Sequence, residues 1–310
     1  MENAQTQPRE VNPRLNSASG GFSYSLLVVI YSLVSFAAGL IIGATKLDAK
    51  SDAYIYISYL IAPLIIAACV VTTLKLCKLN FKSVFPVKCG YKYYIIALLM
   101  VFGLIFSLSW VNEVSVEFFK LFGYEQRESA SYFPELTGGY IVPAFLVIAV
   151  MPAFFEELMF RGVLLNCGIR GLGSVRVIFV TGFCFSLFHG SPEQTVYQFI
   201  AGCAFAFVAV RSGSILPSML MHLINNALIV ILQACGAFDA AGSLIISQGA
   251  NIALTVCGAL SLIGATVWLV LDKKPLVKCD KGGVIAFFKY ASAGIAILTI
   301  MWFLLLFGVA

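Results

Sequence analysis

Nine stretches of this chain carry no charged side chain, and several of them exceed 20 residues: 22–44, 54–74, 93–112, 140–155, 177–192, 194–210, 212–238, 240–271 and 290–310. A bilayer-spanning helix needs about 20 mainly apolar residues, because backbone amides in hydrocarbon must bond within the segment. The fourth stretch is expected to run on through Glu156 and Glu157 to about residue 165. The ninth is expected to begin near 284, with Lys289 reaching back to the interface. The pattern predicts an all-α membrane protein, a polytopic bundle of about nine transmembrane helices, with an eight-helix core as the smaller count. Composition agrees: 60% of the 310 residues are hydrophobic and 11% are charged, where a soluble domain carries roughly 25% charged residues. A water-soluble globule, a disordered chain and a nucleic-acid-binding domain are all excluded on these grounds.

Residues 1–21 read as a polar N-terminal tail and 22–310 as a single integral membrane domain. The first apolar run is 23 residues long behind 21 polar ones, longer than a signal-peptide core, so a retained helix is expected. Basic residues concentrate on cytoplasmic loops. With the N-terminus inside, fifteen of the twenty fall on that side: Arg9, Arg14, Lys75, Lys78, Lys82, Lys88, Lys92, Arg161, Arg170, Arg176, Arg211, Lys273, Lys274, Lys278 and Lys281. Only Lys46, Lys50, Lys120 and Arg127 fall opposite. A cytoplasmic N-terminus and an odd number of spans follow. The nine cysteines form no CxxC pair, and reduced thiols are expected. Gly39 and Gly43 make a GxxxG that permits close helix contact. The segment 113–139 opens with an amphipathic EVSVEFFKLFG suited to the interface.

Polar residues inside the apolar helices carry the functional signal, since a carboxylate at membrane depth is costly and usually has a purpose. Glu156 and Glu157 are the only adjacent acids in the chain. Neighbouring helical positions point about 100° apart, so the two face different partners. Arg161, one turn on, is the natural partner of Glu157, which leaves Glu156 to another neighbour. Pro152 cannot donate to the helix ladder and is expected to loosen the helix just before the pair. The chain has two histidines, His189 and His222, and both fall in apolar helices. Phe185 shares a face with His189, and Asn226 shares a face with His222, while Asn225 is expected to point elsewhere. A glutamate can exchange a proton with water, a histidine beside it can orient that water, and a second histidine with an amide can hold an oxyanion. These are the parts of an amide-hydrolysing site without a serine or cysteine nucleophile. One tension concerns depth. His189 lies about fifteen residues into its helix, roughly 20 Å up, whereas Glu156 and His222 are expected in the inner half.

In order, Glu156-Glu157-x-x-x-Arg161, Phe185-x-x-x-His189 and His222-x-x-x-Asn226 resemble the three signatures of the CAAX protease and bacteriocin-processing (CPBP) family of intramembrane peptidases. The flanks FRG, HGSPEQTVYQF and RSGSILPSMLMH agree, and the resemblance covers residues 140–232. It implies an intramembrane, metal-independent glutamate-type endopeptidase with no cofactor. Glu156 and His189 would activate water, His222 and Asn226 would form the oxyanion site, and Glu157, Arg161 and Phe185 would support them. The implied partners are the lipid bilayer and a membrane-associated peptide or protein, lipidated or not: a CAAX-type protein, a pheromone or leader, or a bacteriocin-related peptide. The expected setting is a multi-pass protein of a bacterial cell membrane, its site reached from the cytoplasm. Three alternatives stand beside it. Glu156, His189 and His222 are the residues that would bind zinc in a metalloprotease, though no HExxH is present. Buried Glu and His also suit a proton-coupled transporter, and a non-catalytic immunity protein needs only the helices.

Overall fold

The computed structural model describes residues 15–45, 47–48, 51–125, 133–238 and 244–308. Among these, all regular structure is helical. The elements are α1 (Ser17–Thr45), α2 (Asp52–Leu76), a short α3 (Phe81–Val84), α4 (Lys92–Ser107), α5 (Trp110–Lys120), α6 (Gly138–His189), α7 (Thr195–Ser212), α8 (Leu216–Ala234), α9 (Gln248–Val270) and α10 (Gly283–Leu306). Seven helices are long and apolar enough to cross a membrane, or eight when the bent pair α4–α5 counts as one span. The chain is an integral, multi-pass membrane protein. Each apolar stretch of the sequence falls on one of these helices. The stretches 140–165 and 177–192 fall on the two arms of α6, which meet at a kink at Gly173.

Gly173 turns α6 back on itself. Its φ of 76° and ψ of 164° lie in a region essentially restricted to glycine. On either side the two arms run antiparallel: Gly168 faces Val177, and the Phe160 ring packs on Phe185 at 5.2 Å. The same register carried further places Glu156 opposite His189. This removes the expected depth mismatch, because both residues lie nearly the same number of residues from the turn. The loop after α9 straps the turn, with Ser174 N–H donating to Val277 O and Val277 N–H to Ser174 Oγ, both at 2.9 Å.

The loops that hold most of the basic residues gather at this end. Ile215 N–H donates to Pro86 O at 2.9 Å, and Asn166 donates to Val84 O at 2.9 Å. Two of the residues counted as loop charges are not loop charges. Arg161 is fully buried in the bundle. Arg211 is buried too and closes the C-terminus of α9, donating to the carbonyls of Leu269, Val270, Asp272 and Lys274 at 2.6–3.1 Å. It supplies the partners that the last turn of a helix lacks. The charge asymmetry survives their removal.

Three further expectations change. Helix α1 begins at Ser17, inside the expected 1–21 tail, of which residues 1–14 lie outside the described residues. Ser17, Gly20 and Gly21 are buried, and this small-residue face lets α1 close on α6 and α10. Among the described residues the close contact expected at Gly39 and Gly43 does not form, since neither has any of them within 4 Å of its Cβ position. The amphipathic segment forms α5, bent 42° from α4, with Val111, Ser115 and Val116 buried; residues 126–132 of that loop lie outside the described ones.

Two apolar cores result. One joins α1, α2, α6 and α10, and includes Phe160 and Phe185. The other joins α4, α7, α8 and α9, and includes Phe205 and Met221. Gly173→Val should destabilise the protein by about 1–3 kcal/mol, the usual cost of forcing such a backbone angle. A lowered thermal unfolding midpoint in detergent checks this; an unchanged midpoint would show that α6 tolerates another turn.

Candidate active site

Pro152 lies on the first arm of α6 and has no N–H for the carbonyl of Ile148, four residues back. The helix widens to π geometry just before it, at Leu146–Val150. It widens again directly after the glutamates, at Leu158–Leu164. Such wide turns are rare and frequent at functional sites. Glu156 and Glu157 occupy the α-helical turn between the two and are both buried.

Glu157 pairs with Arg161 across the second wide turn, as its spacing predicts. Arg161 Nη1 donates to Glu157 Oε1 at 2.6 Å, and neither side chain is exposed. Arg161 Nη2 donates to Gly202 O on α7 at 3.2 Å. That approach is possible because α6 and α7 cross at glycines: a Cβ on Gly202 would stand 2.9 Å from Gly182 Cα. Aromatic rings close the rest of the shell, with the guanidinium 4.4 Å from the Phe185 ring and 5.2 Å from that of Phe205. Such contacts favour a desolvated cation.

Glu157 Oε1 also accepts from His222 Nδ1 at 3.1 Å. The opposite ring nitrogen, Nε2, then faces Glu156 Oε2 at 3.9 Å. That is too long for a direct hydrogen bond, and Glu156 Oε2 is buried with no partner among the described residues. His189, at the end of the second arm, donates from Nδ1 to Phe185 O at 2.9 Å. A neutral ring so held keeps its Nε2 lone pair free. His189 lies within electrostatic reach of both Glu156 and His222. Phe185 is the shared wall, its ring centroid 4.5 Å from that of His189 and 5.8 Å from that of His222. Asn226, one turn beyond His222, donates from Nδ2 to Ile148 O at 3.5 Å. This is the carbonyl that Pro152 leaves without its usual donor.

All seven residues singled out in the sequence therefore meet where the two apolar cores join. Several neighbours were not singled out. Gly202 and Phe205 complete the Arg161 shell. The Ser218 hydroxyl stands beside Glu157, one turn before His222 on the same helix, a spacing that could have marked it. Tyr31 on α1 lies within reach of the Glu156 charge and packs on Phe188 with ring centroids 5.1 Å apart. Asn225 was expected to point elsewhere, yet its amide donates to Asn226 Oδ1 at 3.1 Å. No group of three or more His, Cys, Asp or Glu able to hold a metal ion occurs among the described residues, so Glu156, His189 and His222 are not gathered as a metal site.

Buried carboxylates and imidazoles converging inside apolar helices, beside an amide donor, have the chemistry to support hydrolysis within a membrane. The comparisons point to its kind: residues 138–228 match the family model described as type II CAAX prenyl endopeptidase Rce1-like, and the chain is an intramembrane endopeptidase that is similar to that family over this region. The match spans all seven residues singled out in the sequence and nearly the whole of the resemblance at 140–232. Searches of curated proteins and of solved structures each gave no match. The family match supports peptidase activity. Its substrate is a membrane-associated peptide or protein.

Arg161→Met leaves the Glu157 carboxylate buried without its cation and should cost about 3–5 kcal/mol of stability. Glu156→Gln removes no protein hydrogen bond of the Oε2 oxygen and should shift stability by under about 1 kcal/mol. Unfolding curves of the two variants in one detergent check the contrast. Equal losses would show that the ion pair does not organise the site.

Proposed function

We propose that the chain hydrolyses a peptide bond in a prenylated CAAX-type protein or peptide, without a metal, using Glu156 as the proton-transferring group. The reading is carried by one observation: Glu156 Oε2 is buried and unpartnered, and points into the space shared with His222 and His189. A water beside that oxygen can also donate to the free Nε2 of His189. Glu156 takes one proton from the water as its oxygen attacks the scissile carbonyl carbon. The oxyanion that forms accepts from His222 Nε2–H and from the second N–H of Asn226. Glu156 then hands the proton to the leaving nitrogen, the C–N bond breaks, and a carboxylic acid and an amine form; the acid's remaining proton passes to the amine, leaving a carboxylate and an ammonium.

Glu157 supports this by fixing the His222 ring. Its carboxylate accepts from Nδ1, so Nε2 carries a hydrogen when the ring is an imidazolium. In that form Glu156, Glu157, Arg161 and His222 carry two negative and two positive charges. A balanced set is what a buried site of low dielectric favours. The family description supports the prenylated substrate class. The basic loops gathered near Gly173 support placing that end, and the N-terminus, in the cytoplasm. Phe154, two residues before Glu156, is exposed on the outside of the bundle, which supports lateral approach by a lipid-anchored chain.

A farnesylated, internally quenched peptide ending in a CAAX sequence tests the proposal in detergent. The purified protein should cleave it, Glu156→Ala should abolish cleavage, and Asn226→Ala should lower kcat by about 10²–10³-fold. Cleavage retained by Glu156→Ala overturns the mechanism. Activity lost on exhaustive chelation and restored by zinc would overturn its metal-free form.

A further inference from the structure

Asn226 can serve an oxyanion only if its NH2 group, not its oxygen, faces the site, and the structure shows what decides this. The Ile148 carbonyl is an acceptor only. Pro152 deprives it of its ordinary α-helical donor, and Asn226 Nδ2 lies 3.5 Å from it. The Asn226 NH2 group must therefore point to that side. Its Oδ1 is then turned toward Asn225, whose Nδ2 donates to it at 3.1 Å. The Asn225 oxygen in turn faces Tyr197 on α7, whose hydroxyl donates at 3.2 Å. Reversing Asn226 would set oxygen against oxygen at Ile148 and two NH2 groups against each other between the asparagines, and reversing Asn225 would set their two oxygens against each other. One orientation of the whole chain satisfies every partner, and its bonds run in a single sense from Tyr197 to Ile148. Bonds aligned in this way polarise one another. Both asparagine side chains and Tyr197 are only partly exposed, so competing water does not dominate the network.

We infer that Tyr197 and Asn225 are positioning residues for the peptidase reaction: through the chain Tyr197–Asn225–Asn226–Ile148 they hold the Asn226 amide as a hydrogen-bond donor toward the reacting carbonyl. The inference rests on the reading of Asn226 as an oxyanion donor. Pro152 belongs to the device, since it keeps the terminal acceptor available. Tyr197 anchors the far end from a separate helix, so the packing of α7 on α8 is transmitted to the amide.

The test is a double-mutant cycle with the farnesylated quenched peptide, alongside unfolding midpoints for each variant. Tyr197→Phe, and Asn225→Asp, which matches asparagine in shape but has no amide hydrogen to donate, should each lower kcat about tenfold with KM within about twofold. Added to Asn226→Ala, neither should lower kcat further, because the group they orient is gone. Wild-type kcat in Tyr197→Phe and Asn225→Asp overturns the inference, and so does a full additional loss in the Asn226→Ala background. If Asn226→Ala keeps wild-type kcat while Glu156→Ala is dead, the oxyanion reading itself fails and the positioning role with it. A rise in KM alone, or a fall in unfolding midpoint that tracks the loss of rate, would mark Tyr197 and Asn225 as structural and overturn the inference.

Discussion

Arg161 is the charge around which the site is built. A guanidinium with no solvent exposure must find its hydrogen-bond acceptors inside the bundle, and here they come from two helices: the Glu157 carboxylate on α6 and the Gly202 carbonyl on α7. The rings of Phe185 and Phe205 flank it from α6 and α7. Burying such an ion costs several kcal/mol unless its partners are well placed, so each partner is constrained by the same requirement. Glu157 cannot turn away without stranding Arg161. It therefore presents a fixed oxygen to His222, and the imidazole is held with its far nitrogen toward Glu156. A structural ion pair thus sets the direction of a histidine that does not touch the arginine.

The helix carrying the two glutamates is irregular on both sides of them, and the irregularity is useful. A regular α-helix consumes its own carbonyls. Pro152 and the π turns at Leu146–Val150 and Leu158–Leu164 change that accounting within a few residues of the carboxylates. Non-helical backbone at membrane depth is tolerated where protein groups satisfy it, and Asn226 does so at Ile148. The Gly173 turn completes the arrangement. By folding α6 into an antiparallel hairpin it brings His189 level with Glu156, and the two apolar cores then close on either face.

Much of the site was legible in the sequence because local spacing has direct geometric meaning. Glu157 and Arg161 lie one turn apart, and so do Phe185 and His189, and His222 and Asn226; each pair does share a face. Two adjacent glutamates cannot face one way: Glu157 pairs with Arg161 while Glu156 does not, although both border opposite nitrogens of His222. What failed to show were features that depend on neighbours far along the chain. Gly39 and Gly43 have the spacing of a helix-contact motif but meet nothing, while the unmarked Gly20 and Gly21 make the contact. Asn225 looked averted on a helical wheel, yet a flexible side chain brings its amide to Asn226. Tyr197 and Ser218 are ordinary residues of apolar helices until α6, α7 and α8 are packed together. The stretches 140–165 and 177–192 read as separate spans and do form the two arms of α6, but the glycine turn that pairs them has no distinctive apolar pattern.

The sequence by itself determined the helical membrane architecture, since uncharged runs of this length can satisfy their backbone in lipid in few other ways. It also determined which polar residues were too costly to be accidental. Only the tertiary structure decided which oxygen of which glutamate stays unpartnered, which nitrogen of each histidine is free, and which way the Asn226 amide points. Those outcomes depend on hydrogen-bond partners supplied by other helices, and a linear pattern of apolar and polar residues does not encode the rotation and depth at which those helices meet.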